Sequence, residues 1–128
     1  EIDDIALSVL ATVIGHKPSL NRLMIDAGGM AMSKDRGTES QSHDRRYGLI
    51  CPSGLGQPIE GMILDDVSQE HGIVTSTLGP VDFSRFPIGS KLRVIPNHAC
   101  MTAAAHDRYY VTSNGIDIET TWHRCHGW

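Results

Sequence analysis

The sequence predicts a mainly β fold: a compact antiparallel β-sandwich or barrel with one or two short helical turns. Short apolar or alternating runs rich in β-branched residues recur along the chain, broken by Gly, Pro, Asn and Asp, the punctuation of strands and turns. Only Thr102 to His106, with three alanines in a row, has helical character, and it allows one or two turns. Asn114-Gly115 lies between two β-prone runs and is the strongest hairpin signal in the chain. Strands with almost no helix bury their apolar faces on one another, which implies a sheet folded or closed on itself.

In order, Ile5 to Ile14 reads as a long, largely buried strand that stops at Gly15, and Arg22 to Asp26 as a second strand ended by the turn Ala27-Gly28-Gly29. Residues 33–44 are almost wholly polar and predict a surface loop. Tyr47 to Ile50 forms a short strand before the turn Pro52-Ser53-Gly54, and Ile59 to Leu64 a weaker one interrupted by Gly61. Ile73 to Thr77 is a strand ended near Gly79-Pro80. Lys91 to Ile95 alternates polar and apolar and is terminated by Pro96. Tyr109 to Thr112 and Ile116 to Thr120 flank Ser113-Asn114-Gly115 as the two arms of the hairpin.

At 128 residues the chain has single-domain length and enough surface to bury a core. With 40% hydrophobic and 20% charged residues its composition is that of a globular domain, not of a disordered segment. No repeat, low-complexity tract or linker divides it, so residues 1–128 are expected to form one domain. A net charge of -4 gives no reason to expect nucleic acid or an anionic membrane as partner. Arg45-Arg46, beside Asp44, reads as part of a solvated loop. No apolar run approaches the ~18 residues of a membrane span. Cys51, Cys100 and Cys125 cannot all pair within one chain, and Glu1, Asp3 and Asp4 form no positive leader. Together these predict a cytoplasmic protein whose cysteines are ligands or core residues.

The segment with most chemical content is Arg93-Val94-Ile95-Pro96-Asn97-His98-Ala99-Cys100, in which a strand ends at proline and a His and a Cys follow two positions apart. An imidazole and a thiolate are borderline-soft ligands that suit zinc better than magnesium or calcium. By itself His-x-Cys is a weak signal, and it fits a surface histidine beside a core cysteine better than a metal site. His71, just before a strand, can be read as a ligand, an acid or base, or a loop residue, and His106 would reach Cys100 if the intervening turn is helical. His123 and His126 bracket Cys125 in a superficially similar pattern near the chain end, and Trp122 and Trp128 read as packing or interface anchors. No G-x-S-x-G elbow, Walker-type loop or H-E-x-x-H helix is present.

Taken in order, these segments resemble the C-terminal domain of the D-serine dehydratase and D-threonine aldolase-like family, metal-activated fold-type III pyridoxal-phosphate enzymes. Val9 to His16 is similar to the first long strand of that domain. Ile25-Asp26-Ala27-Gly28 with Ala31-Met32-Ser33-Lys34-Asp35 is similar to its "DAG…alS.D" signature, and Glu70-His71-Gly72 to its "EHG" element. Pro96 to Cys100 is similar to its "PNHxC" metal motif, and Trp122-His123-Arg124 with Gly127-Trp128 to its end. The resemblance implies that His98 and Cys100 bind zinc or another divalent metal, with His71 and His106 as accessory candidates. It further implies a partner barrel domain, in cis or in trans, that holds pyridoxal phosphate on a lysine.

Lys17, Lys34 and Lys91 are the only lysines, and none has the context of the family's cofactor lysine, so no catalytic or cofactor-binding residue is expected on this chain alone. Three functional readings follow. The chain is the metal-bearing domain of a lyase acting on β-hydroxy D-amino acids, inactive alone; or a free-standing zinc-binding or interaction module; or a β domain that keeps these motifs for folding. The face that would cover the barrel is expected to be exposed and to favour a homodimer.

Overall fold

The computed structural model of the chain describes residues 2–54 and 56–125. Six strands close a barrel: β1 (Val9–Lys17), β2 (Arg22–Ile25), β3 (Gly48–Pro52), β4 (Met62–Val67), β5 (Gly72–Ser76) and β6 (Lys91–Pro96). Their order around the barrel is β1-β2-β5-β4-β3-β6, with β6 pairing back onto β1, and every neighbouring pair is antiparallel. A separate two-stranded ribbon follows, β7 (Arg108–Val111) with β8 (Thr120–His123). The helices are short: α1 (Gly29–Met32) and α2 (Ala99–Ala104), with single 3-10 turns at Ile2–Asp4, Pro18–Leu20 and Phe83–Arg85. The expected mainly β fold is therefore a closed antiparallel barrel with two short helices.

Alternation along the strands fills the barrel. Val13, Leu23, Ile25, Ile50, Leu64, Val74, Leu92 and Val94 are at most 1% exposed and belong to one core cluster. Burying each such side chain contributes roughly 1.5–3 kcal/mol, and a barrel this narrow has an interior just large enough for them.

Several boundaries differ from expectation. β1 begins at Val9 and not at Ile5, which is exposed, and it runs through Gly15 to Lys17. The β1–β2 register shifts between Val13 and Gly15, so the glycine marks a bulge, not an end. There the Asp26 carboxylate accepts the Thr12 N–H at 2.6 Å, while the Asp26 N–H donates to the Thr12 carbonyl at 3.1 Å. β4 starts only after Gly61, whose φ of 73° ends any strand before it. The hairpin expected at Asn114-Gly115 exists, but its second arm is Thr120–His123 and not Ile116 to Thr120. Residues 116–119 belong to the loop because the Asn114 Oδ1 atom accepts the N–H groups of Ile116 and Asp117 and the Glu119 carboxylate accepts that of Ser113. α2 starts three residues earlier than Thr102 and takes in Cys100. The expectations for His126, Gly127 and Trp128 lie outside the described residues.

The single turn of α1 was not anticipated, because two glycines precede Met30. It forms where its first N–H donors find external acceptors: Gly29 donates to the Ser68 carbonyl at 2.7 Å and Met30 to that of Gln69 at 3.1 Å. The turn after β2 thus lies directly on the turn between β4 and β5. A Cβ on Gly28 would stand 2.5 Å from the His71 nitrogen and 2.6 Å from the Gln69 carbonyl oxygen. A Cβ on Gly72 would stand 2.5 Å from the Ala27 carbonyl oxygen and 2.7 Å from the Leu64 Cδ1 atom. Backbone cannot yield as a flexible side chain can. Gly72→Ala is therefore expected to lower stability by at least about 1–3 kcal/mol, measured by urea unfolding; an unchanged midpoint would refute the close approach.

Candidate metal centre

β2, β4 and β6 finish at one end of the barrel, and the helices sit at that end. His98 follows β6 directly and is the N-cap of α2, with φ -138° and ψ 102°. Its carbonyl accepts the first helical bond, from the Thr102 N–H at 3.1 Å, while its side chain makes no cap bond. The imidazole is left free to face Asp35, and the His98 Nδ1 atom contacts the Asp35 Oδ2 atom. Cys100 lies two positions on, in the first turn of α2, exposed and free. Imidazole and thiol are thus both presented at the surface of one helix start.

Packing of α2 on α1 holds this arrangement. The buried Thr102 hydroxyl donates to the Met32 carbonyl at 2.8 Å, and the His106 Nε2 atom bonds the Ala31 carbonyl at 3.0 Å. His106 is thus engaged with α1. His71 lies in the β4–β5 turn with an exposed side chain, and its backbone lies against Gly28. Among the described residues no three His, Cys, Asp or Glu side chains form a group able to hold a metal ion. The structure brings Asp35 to His98, and brings neither His71 nor His106 into a cluster of three with the His98–Cys100 motif. Asp35 was quoted in the "alS.D" signature yet carried no assigned role, since 63 residues separate it from His98.

The polar stretch from Ser33 to Asp44 is irregular, as its composition requires, but it is cross-linked. Arg36 pairs with Asp44 and Glu39, and its guanidinium lies over the Tyr47 ring at 5.9 Å. The Asn97 side-chain amide donates to the Thr38 hydroxyl at 3.1 Å and to the Arg46 carbonyl at 2.5 Å, tying this loop to the residue before His98. The Arg46 backbone N–H, then the Arg36 guanidinium and Thr38 hydroxyl, hold the Asp44 carboxyl below its ordinary value of 3.8. Cys51 lies in the barrel wall and burial pushes its thiol up; Cys51, Cys100 and Cys125 are all free. No helix among the described residues is long and apolar enough to cross a membrane.

Two predictions follow. Thr102→Val strands the Met32 carbonyl inside the α1–α2 contact and should destabilise the chain by about 1–3 kcal/mol in urea unfolding. Because Asp44 is stabilised in its ionised form, its contribution is complete above 3.8 and is lost as pH falls through the lower folded value. Amide exchange at Arg46 should accelerate below that pH, and Asp44→Asn should abolish this dependence.

A small closed β-barrel with a His-x-Cys pair at the start of a short helix defines the class. The family described as "Putative serine dehydratase domain" matches residues 6–112. The chain is 44% identical to D-threo-3-hydroxyaspartate dehydratase of Delftia sp. (strain HT23), over 98% of this chain and 33% of that protein. It superposes on a solved Cys→Ala mutant of that dehydratase in the metal-free form with a TM-score of 0.88 and 44% identity, covering 99% of this chain and 34% of the other. A His→Ala mutant of the same dehydratase matches with a TM-score of 0.86 and 43% identity, over 99% and 33% of the two chains. An uncharacterized protein of Mycobacterium tuberculosis (strain H37Rv) is 32% identical over 91% of this chain and 80% of its own length. The chain belongs to the D-serine dehydratase-like family, and its structural neighbours match it with that family's small C-terminal domain. It spans about a third of the length of the dehydratase it matches.

Proposed function

We propose that this chain is the metal-bearing domain of a pyridoxal-phosphate-dependent lyase acting on β-hydroxy D-amino acids, with His98 and Cys100 as two ligands of zinc or another divalent metal. The observation that carries the reading is the likeness over 99% of the chain to a dehydratase solved metal-free as its Cys→Ala form. The cysteine and the histidine substituted in its two mutants stand two positions apart, the spacing of His98 and Cys100.

The donor set fits a divalent metal: one imidazole, one thiol, both exposed, with a carboxylate against the imidazole. A metal held by His98 and Cys100 supplies a Lewis acid for the substrate's β-hydroxyl. This chain's own part is to present those two side chains from a packed helix start, and to hold them there through Thr102 and Asn97. The chain does not fit pyridoxal phosphate. Lys17, Lys34 and Lys91 are all exposed, and the Lys91 ammonium donates to the Thr12 hydroxyl at 2.6 Å. In this reading the cofactor belongs to a barrel domain in cis or in trans, and the chain is inactive without it. Three free thiols are consistent with a cytoplasmic compartment. Exposed Tyr110, Ile116, Ile118 and Trp122 on and beside the ribbon supply apolar surface for a second copy.

A second reading has its own support. The mycobacterial relative, of which the matched region makes up 80%, has little room for a cofactor barrel, which favours a free-standing metal-binding module.

Zinc titration of the chelator-stripped chain tests the metal assignment. One zinc per chain is expected, lost in His98→Ala and in Cys100→Ser with folding intact by circular dichroism. Metal content unchanged in both variants would sink the reading. Tight binding by the chain alone favours the free-standing module, and weak binding favours the lyase domain.

A further inference from the structure

We infer that Asp35 is the positioning residue of this centre: its carboxylate fixes the His98 ring in the orientation and tautomer that leave Nε2 as the metal-binding atom. The inference rests on the proposed assignment of His98 as a ligand and names a residue that the His-x-Cys motif does not contain.

The neutral imidazole has one N–H and one lone pair, and the two nitrogens cannot exchange roles while one of them is committed. An ionised carboxylate only accepts, so the ring nitrogen in contact with Asp35 is the one that carries the proton. That nitrogen is Nδ1, and the lone pair is therefore on Nε2. A carboxylate in this place also makes the ring a stronger donor to a cation, and histidine ligands of metals ordinarily have such a partner.

Both sides of the contact are built. α1 ends at Met32, and Ser33 turns the chain out of it in the left-handed region, with φ 67°. The Ser33 N–H still donates to the Gly29 carbonyl at 2.9 Å, and the Ser33 hydroxyl accepts the Asp35 N–H at 3.2 Å. Met32, three residues before Asp35, is bonded by Thr102, which lies in the helix that His98 caps. Asp35 and His98 therefore project from the two members of one packed helix pair. The side chains of His98 and Asp35 are 43% and 34% exposed. A half-exposed pair of this kind contributes little to folding, so a role in orienting the ring separates cleanly from a role in stability.

The test uses the 128-residue chain and zinc alone as the probe. Asp35→Ala should weaken zinc affinity by about 10–100-fold while the unfolding midpoint stays near that of the parent chain. Asp35→Asn, whose amide oxygen still accepts from Nδ1–H, should recover part of the loss. In the metal-free chain, ¹⁵N shifts of the neutral ring should report His98 as the Nδ1–H tautomer, and Asp35→Ala should return it to a mixture. Unchanged affinity in Asp35→Ala overturns the inference, and so does a tautomer that does not respond. Loss of zinc in Asp35→Asn as complete as in Cys100→Ser also overturns it, by making Asp35 a ligand. Absence of zinc binding by the parent chain counts against the His98–Cys100 assignment instead, and the tautomer measurement then decides alone whether Asp35 controls the ring.

Discussion

At one end of the barrel the backbone leaving β2 runs so close to the turn between β4 and β5 that neither Gly28 nor Gly72 has room for a side chain. Everything at that end depends on this approach. It brings the Ser68 and Gln69 carbonyls to the first donors of α1, which lets a single helical turn persist despite its glycines. α1 in turn offers the Ala31 and Met32 carbonyls to His106 and Thr102, and these fix α2. His98 caps α2, and Asp35 follows α1, so the pair meets because two backbone turns do.

The family motifs divide by physical role once their contacts are known. Asp26 of the D-A-G segment bonds the backbone of β1 at its bulge, and Gly28 and Gly72 make the close approach possible. These residues hold the fold. Asn97 bonds the polar loop through Thr38 and Arg46, fixing the residue before His98. His98 and Cys100 pair exposure with metal-ligand chemistry two positions apart at the start of one helix. A motif read as one unit is therefore a structural half and a chemical half that meet at the α1–α2 contact.

Membership of the D-serine dehydratase-like family defines what this chain is as a domain. It covers a third of the Delftia dehydratase, yet most of the mycobacterial relative. The closed barrel gives a physical basis for this range of contexts. A sheet that closes on itself has no open edge in the barrel, and its core is satisfied within the chain. The proposed centre at His98 and Cys100 is different, because two protein ligands would leave coordination positions to be filled by water, substrate or another group.

The sequence by itself determined the strand-rich class and most strand positions, because alternation and β-branched runs such as Lys91 to Ile95 state their own period. It also singled out His98 and Cys100 as candidates, through the family motif that contains them and not through the His-x-Cys spacing alone. Sequence did not reveal that the sheet closes through β1 and β6, that β1 continues past Gly15, or that residues 116–119 leave the hairpin. Those outcomes depend on bonds that no local period encodes: Val9 to Thr12 paired with Lys91 to Val94, Asp26 to Thr12, and Glu119 back to Ser113. Asp35 was equally beyond its reach as a partner of His98, with 63 residues between them. Local pattern sets which residues can serve as strand or ligand. Only the packing of α1 on α2, itself set by two side-chain-free backbone turns, decided which carboxylate stands beside the imidazole.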